Sequence, residues 1–140
     1  MANKIAQQNS GSQTVVTTAE TTVVTTPAYV YDYPNPFVGG EHAGAGQGVT
    51  VSGVLNVNPA GTAATAVTVR VRQGTITGTI VSTELQSVVA GNSQEVTYEG
   101  VDTSRWCAQA GGGVYVVTVQ FTAATGNSTI TLATVDVEGA

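Results

Sequence analysis

The alternation of valine with polar residues in TAVTVRVRQGTITGTIVST, residues 65–83, constrains the fold of this chain more than any other feature. Val67, Val69 and Val71 alternate with one threonine and two arginines, which is the two-residue period of a strand with one dry face. The QGTITG segment has the glycine and threonine content of a reversal, and residues 79–83 form the returning strand. Because a lone hairpin is marginal in water, we expect further strands to cover the valines.

Other stretches of the chain supply these strands. Residues 49–57 alternate in the same way, and residues 114–122 are so apolar that we expect a central strand. In residues 128–138 the apolar positions change parity, which predicts a bulge or bend near Ala133–Thr134. About eight strands with short Gly, Asn and Pro turns predict an all-β fold. We expect a two-sheet antiparallel sandwich, jelly-roll-like or Ig-like, with an extended N-terminal arm.

The composition excludes several classes of partner. The chain has 140 residues and a mass of 14.1 kDa, enough for one domain, and its nine acidic and four basic residues give a formal charge of -5. Nucleic acid is not an expected partner, since phosphates require clustered Lys and Arg. The sequence has no apolar run of membrane-spanning length and its start is unlike a secretory signal, so we expect synthesis and folding in a cytoplasm.

Two segments precede the predicted β-sandwich core, residues 49–140. Residues 1–26 are predicted to be an extended arm, and residues 27–48 an aromatic and Gly-rich connecting loop. The adjacent pairs Val15–Val16 and Val23–Val24 would present valine to both faces of a strand. Two interpretations stay open: strand addition to a neighbouring subunit, or an ordinary first strand pair of the chain's own sandwich.

The aromatic segment is the second candidate contact surface. Tyr29, Tyr31 and Tyr33 share one side of an extended segment and are followed by Phe37. Tyrosines anchor many interfaces, because they bury a large area and keep a polar tip, although these rings could also cap the sandwich core. The predicted partner-binding residues are Val15, Val16, Val23, Val24, Tyr29, Tyr31, Tyr33 and Phe37.

No reactive group of residues emerges from the sequence. His42 is the only histidine and lies in a Gly-rich loop, and Cys107 is the only cysteine, interpreted as a small buried apolar group. Asp32, Asn35 and Glu41 carry oxygen ligands for calcium but lack the spacing of a known calcium loop. We therefore expect no enzyme, no catalytic residues, no cofactor and no metal site.

Two acidic residues on one predicted strand are interpreted as structural. Glu95 and Glu99 share the same parity, and paired carboxylates can serve glycoside hydrolysis when they converge in a cleft. We expect them instead to pair with Arg70 and Arg72 on the wet face of the sandwich.

Two runs carry a resemblance to a known family: GQGVTVSGVLNVNPAGTAATAVTVRVRQGTITGTIV and GGGVYVVTVQFTAATGNSTITLATVDVE. Their pattern resembles the head decoration (cement) proteins of tailed bacteriophages, small sandwiches of the jelly-roll type. The resemblance implies a homotrimer on the capsid surface of a virion, made in the host cytoplasm. Its partners would be the major capsid protein and sister subunits, with the N-terminal arm packed against the shell so that neighbouring coat subunits are braced.

Two alternative functions are kept. One is a carbohydrate- or receptor-binding module of a phage fibre or adhesin, which would use the three tyrosines. The other is a main coat or tube subunit, which would assemble by itself.

Overall fold

The computed structural model describes residues 3–10, 14–16, 18–27, 49–59, 66–104, 113–122 and 128–139, and these residues form nine β-strands and no helix. The strands are β1 (Asn3–Ser10), β2 (Thr14–Val16), β3 (Thr21–Thr25), β4 (Val49–Asn58), β5 (Ala66–Gln73), β6 (Ile80–Ser87), β7 (Gln94–Asp102), β8 (Tyr115–Phe121) and β9 (Ser128–Gly139).

The strands form two antiparallel sheets, which confirms the predicted sandwich. Sheet A has the order β1-β9-β4-β7, and β2 also pairs with β9; sheet B has the order β3-β8-β5-β6. Both β1 and β2 pair antiparallel with β9. Strand β1 pairs with the C-terminal part of β9 and β2 with Ser128–Ile130 of β9, so β1 and β2 together act as one interrupted edge strand. With those two counted as one, the first strand pairs with the last, the second with the seventh, the third with the sixth and the fourth with the fifth. This nested pairing is the topology of a jelly roll.

The same topology gives the sandwich two lateral sides. At one side, β1 and β2 form the edge of sheet A, and β1 lies beside β3 at the edge of sheet B. At the other side, β6 at the edge of sheet B lies beside β7 at the edge of sheet A. We call these the N-terminal side (β1, β2 and β3) and the β6 side (β6 and β7).

The inner faces of both sheets follow the alternation seen in the sequence. On β4 the inward residues Val49, Val51, Leu55 and Val57 are each at most 1% exposed. Strand β8 lies between β3 and β5, as expected for the most apolar strand, and turns Tyr115, Val117, Val119 and Phe121 into the core. Alternating branched side chains thus fill the space between the sheets, and this burial is the main stabilising contribution.

The β5–β6 hairpin forms where the sequence predicts it. The reversal is closed by a hydrogen bond from the Gln73 amide to the Thr79 carbonyl, 2.9 Å. Gly74 has φ 82°, a left-handed conformation that favours glycine over residues with a Cβ.

Strand β3 places its valine pair differently from the prediction. The pairing of β3 with β8 shifts register between Thr22 and Val24, so the extra residue is Val23. Both valines are 6% exposed and belong to the hydrophobic core. A bulge of this kind lets consecutive residues serve the same face, which corrects the expectation of one valine on each face.

The change of parity in β9 is present, two residues before the predicted position. The pairing of β4 with β9 shifts between Asn56 and Val57, opposite Leu132 and Ile130, and leaves Thr131 as the extra residue. Ile130 is buried, Leu132 is 36% exposed, and the inward alternation resumes at Ala133. The bulge restores the inward phase for the rest of the strand.

Candidate functional site

The described part of residues 1–26 supplies strands to both sheets instead of extending away from the domain. The backbone of β1 pairs with β9 from Asn3↔Gly139 to Ser10↔Ala133, and β2 continues along the same edge. After a crossing at residues 18–20, β3 pairs with β8 in the other sheet. The N-terminal side of the sandwich is therefore built from the segment in which the sequence places four of the eight predicted partner-binding residues.

A charged clamp fixes the crossing to the outer face of sheet B. Arg72 of β5 donates from Nε to Glu20 Oε2 at 2.7 Å and from Nη2 to Glu20 Oε1 at 2.9 Å. Thr118 of β8 donates from its hydroxyl to Glu20 Oε2 at 2.5 Å, and Arg70 lies 3.5 Å from Glu20 Oε1. A two-point contact between guanidinium and carboxylate fixes orientation as well as distance.

The electrostatics of this clamp favour the ionised carboxylate. The hydrogen bond from Arg72 lowers the pKa of Glu20, and this outweighs the effect of its partial burial, which acts to raise the pKa. Arg70 and Arg72 are thus paired with Glu20. The expectation that Glu95 and Glu99 pair with them is wrong, because those two residues lie on β7 in the other sheet.

A second set of hydrogen bonds, through Arg70 and Gln120, holds the crossing at Thr18. Arg70 Nη1 donates to Gln120 Oε1 at 2.8 Å, and Gln120 Nε2 donates to the Thr18 carbonyl at 2.8 Å. Arg72 also donates from Nη1 to the Gly78 carbonyl at 2.8 Å. The crossing between β2 and β3 is therefore tied to two strands of sheet B and to the β5–β6 turn, which preorganises the N-terminal side.

The β6 side is closed by side chains rather than by a ladder of backbone bonds. Glu84 of β6 accepts the Glu99 amide of β7 at 3.0 Å, and Gln86 donates to the Thr97 carbonyl. Gln86 Nε2 also donates to Glu84 Oε2 at 3.1 Å. Polar groups on the edge of β7 are thereby occupied by β6, which protects that edge from pairing with another chain.

Exposed aliphatic side chains gather on β6 and its two flanking turns. Leu85 is 69% exposed, Val89 59%, Ile80 47% and Ile76 39%. Leu85 stands opposite Thr68 on β5, on the outer face of sheet B. Of the six large apolar side chains exposed among the described residues, these four lie between residues 76 and 89.

A buried carboxylate ties the two sheets together at one end. Asp102 of β7 is 5% exposed and accepts from Tyr115 Oη at 2.5 Å and from Gln73 Nε2 at 2.9 Å, both on sheet B. Its other oxygen accepts the Ser104 amide and hydroxyl at 2.9 and 2.6 Å. Burial acts to raise the pKa of Asp102, but the hydrogen bonds from these partners outweigh it and lower the pKa. This network is structural, because every donor belongs to the fold itself.

A polar cleft of about 400 Å³ lies on sheet A beside β6. It is lined by Ser52, Gly53, Val54, Glu84, Thr97, Tyr98, Glu99, Thr134 and Asp136. At its base the ring of Tyr98 crosses Gly53, and its hydroxyl donates to the Thr134 carbonyl at 2.7 Å. Burial, with a smaller contribution from the charge of Asp136, raises the pKa of Tyr98, so the phenol stays protonated as a donor.

The predicted partner-binding residues fall into three groups. Val23 and Val24 lie in the chain's own core, so neither presents a free surface. Val15 and Val16 lie on β2, whose backbone pairs with β9. Tyr29, Tyr31, Tyr33 and Phe37 lie outside the described residues, as do His42, Cys107 and the calcium candidates Asp32, Asn35 and Glu41.

Two further features of the described ranges bear on function. These ranges hold no group of three or more His, Cys, Asp or Glu side chains placed to bind a metal ion. They also include no helix of the length and apolarity needed to cross a membrane.

Comparisons with known proteins find structures of similar fold but do not place the chain in a family. No protein-family model matches the sequence, and no curated protein matches it. A chain in the structure of the Gx strain of infectious bursal disease virus is 12% identical, with a TM-score of 0.53 over 99% of this chain and 31% of that chain. The Gt strain gives 12% identity and a TM-score of 0.47 over the same shares.

A third similar structure comes from Bacillus endospore appendages, described as disulfide-linked pili. It is 19% identical, with a TM-score of 0.41 over 99% of this chain and 89% of that chain. At a TM-score of 0.53 and 12% identity, the comparison with the Gx strain shows a similar fold and nothing further. This chain spans about a third of the viral chain that it resembles.

Sequence reasoning missed the clamp residue and the tie between the sheets. Glu20 carried a signal, since it is the only charged residue between Lys4 and Asp32. An acid that packs against a sheet is stabilised by a nearby cation, and β5 carries two arginines. Asp102 had no comparable signal, because the two partners that make it a tie between the sheets, Gln73 and Tyr115, come from β5 and β8.

Proposed function

We propose that this protein is a structural subunit of a virion, a capsid decoration protein that binds the outer surface of a shell and braces its coat subunits. The observation that carries the proposal is the N-terminal side, where three strands from one segment are gathered and clamped by Glu20. The jelly-roll topology supports it, since this architecture recurs in viral capsid domains. The similarity in fold to a chain of infectious bursal disease virus points the same way.

The N-terminal side suits a contact with another protein. Thr18, Ala19, Thr25 and Pro27 are exposed there and carry no charge. Because the clamp holds the backbone in place before binding, little conformational entropy is lost when a partner docks. A stable contact needs about 800 Å² from each partner, roughly twenty to thirty residues, and residues 1–37 are enough to provide it. The partners we propose are the major capsid protein and sister subunits, as a homotrimer, with no catalytic role.

The test compares two matched substitutions at exposed threonines on edge strands. Thr25→Arg adds a long charged side chain to β3 on the N-terminal side, and Thr97→Arg adds the same side chain to β7. The readout is co-sedimentation with shells assembled from the coat protein of the same genome. Thr25→Arg should reduce binding at least about tenfold, and Thr97→Arg should leave it unchanged. Equal binding by both variants, with unchanged thermal unfolding, would reject the N-terminal side as the contact.

A second candidate function is carbohydrate binding, which the cleft on sheet A favours. Its Thr97 and Thr134 hydroxyls and the carboxylates of Glu99 and Asp136 are groups that hydrogen-bond sugar hydroxyls. A glycan array distinguishes the two functions: binding that Thr97→Arg abolishes and Thr25→Arg preserves would favour the carbohydrate module over the decoration protein.

A further inference from the structure

The edge of β6 differs from the other edges of the sandwich. Proteins protect edge strands with charges, proline, bulges or covering groups. Strand β1 has Lys4 and a register shift next to it, β3 has the bulge at Val23, and the edge of β7 is covered by Glu84 and Gln86. Strand β6 pairs with β5 on one edge, and within the described residues no backbone hydrogen bond joins its other edge to a strand.

The composition around β6 adds no protection. Between Gln73 and Gln94, Glu84 is the only charged residue, and there is no proline. The Glu84 carboxylate is already engaged with the Glu99 amide of the same chain. One register shift, at Val81, affects the start of the strand and leaves residues 82–87 in regular pairing. An exposed, regular edge strand with aliphatic side chains, whose single charged side chain is engaged within its own chain, is suited to pair with another strand.

We propose that this edge pairs with β6 of a second copy of the same chain, antiparallel, about a two-fold axis at Leu85. The pairing would join two copies of sheet B into one continuous eight-stranded sheet. A two-fold contact uses the same patch on both subunits, so one exposed edge strand supplies the whole interface. This inference goes beyond the proposed function and does not depend on it: the two-fold contact forms at the β6 side in the free protein, whereas the proposed homotrimer forms at the N-terminal side on the shell.

The side chains of β6 select the register. With the axis at Leu85, this residue meets the partner's Leu85, Thr83 meets the partner's Ser87, and Glu84 meets the partner's Gln86. The most exposed aliphatic residue on β6, Leu85, would thus be buried against the same residue of the second copy. An axis one residue earlier would place Glu84 opposite the partner's Glu84, and like charges directly opposite each other destabilise a strand pair.

The first experiment measures the molar mass of the purified full chain by light scattering after size exclusion. The wild type should be a dimer, and Leu85→Lys should raise its dissociation constant at least about tenfold, because two lysines would face each other. Leu132→Lys, at an exposed leucine of β9 on the other sheet, is the matched control and should remain dimeric. A wild type that is monomeric, or a trimer that Leu85→Lys leaves intact, would overturn the proposal. If Leu85→Lys melts at a lower temperature than the wild type, the same measurement is made with Leu85→Ser.

The second experiment tests the register by disulfide formation in a Cys107→Ser background. Leu85→Cys should form a cross-linked dimer on oxidation, because residues directly opposite have Cβ atoms about 4.5–5.5 Å apart. Thr83→Cys alone should not cross-link, whereas a mixture of Thr83→Cys with Ser87→Cys should. Cross-linking by Thr83→Cys alone, or none by Leu85→Cys, would contradict the axis at Leu85.

Discussion

The Glu20 carboxylate and the Arg72 guanidinium form two hydrogen bonds, of 2.7 and 2.9 Å, on the outer face of sheet B. Through this contact a residue between β2 and β3 is attached to β5, which lies two strands away from β3 in the same sheet. Since β1 and β2 belong to the opposite sheet, the clamp fixes the point at which the chain passes from one sheet to the other. The stability of the fold and the shape of the N-terminal side are therefore coupled.

Removing the clamp charge should destabilise the domain. Glu20→Gln leaves one acceptor for the two arginines, and we expect the free energy of unfolding to fall by about 1–2 kcal/mol, measured by urea denaturation. Glu95→Gln, on the exposed face of β7, is the control and should change it by less than about 0.5 kcal/mol. Equal stability of both variants would mean that the clamp does not form in solution.

Acid should weaken the fold through Asp102. Its pKa is lowered in the folded state, so its contribution to stability is present above the ordinary carboxyl pKa and is lost as the pH falls through the folded value. We expect the wild-type melting temperature to fall as the pH drops below about 4. Asp102→Asn should be less stable at neutral pH and show a shallower decline in acid. If the melting temperature of Asp102→Asn falls as steeply in acid as that of the wild type, another group causes the acid sensitivity.

Gly53 should not tolerate a side chain. An added Cβ would overlap the Thr134 carbonyl oxygen and lie 2.6 Å from Tyr98 Oη. Because a backbone atom cannot move aside as a side chain can, Gly53→Ala should cost about 1–3 kcal/mol, measured by thermal or urea unfolding. Ser52→Ala, at the adjacent partly exposed position, is the control and should have a small effect.

The bulge in β3 can be tested with two neighbouring residues. Val24 is 6% exposed and Thr25 is exposed, so Val24→Ala should lower the free energy of unfolding by about 1–3 kcal/mol and Thr25→Ala by much less. A purified protein in which Val24→Ala changes nothing would place β3 outside its own core. That result would favour strand addition to a neighbouring subunit.

Periodicity in the sequence predicted the parts of the fold that depend on local pattern. The β5–β6 hairpin, the inward faces of β4 and β8 and the two-sheet architecture all follow from alternating valines, which need only a neighbouring apolar layer. The parity change in β9 even predicted a bulge, within two residues of Thr131.

Features that depend on strand order could not be predicted in this way. Whether Arg72 meets Glu20 or Glu99 depends on which strands share a sheet, and alternation carries no information about that. Val23 was misplaced for a related reason, since an adjacent valine pair fits both a regular strand with valine on each face and a bulge, and only the register of β3 against β8 distinguishes the two. The exposure of residues on β6 could not be predicted either, because the Ile80–Ser87 stretch gives no indication that it forms an edge strand.

Cryo-electron microscopy of shells that carry this protein shows directly which side of the sandwich contacts the coat. We expect sandwich density on the outer surface of the shell, with β1, β2 and β3 facing the coat subunits. A reconstruction in which these three strands face solvent while the opposite side of the sandwich contacts the shell would contradict it.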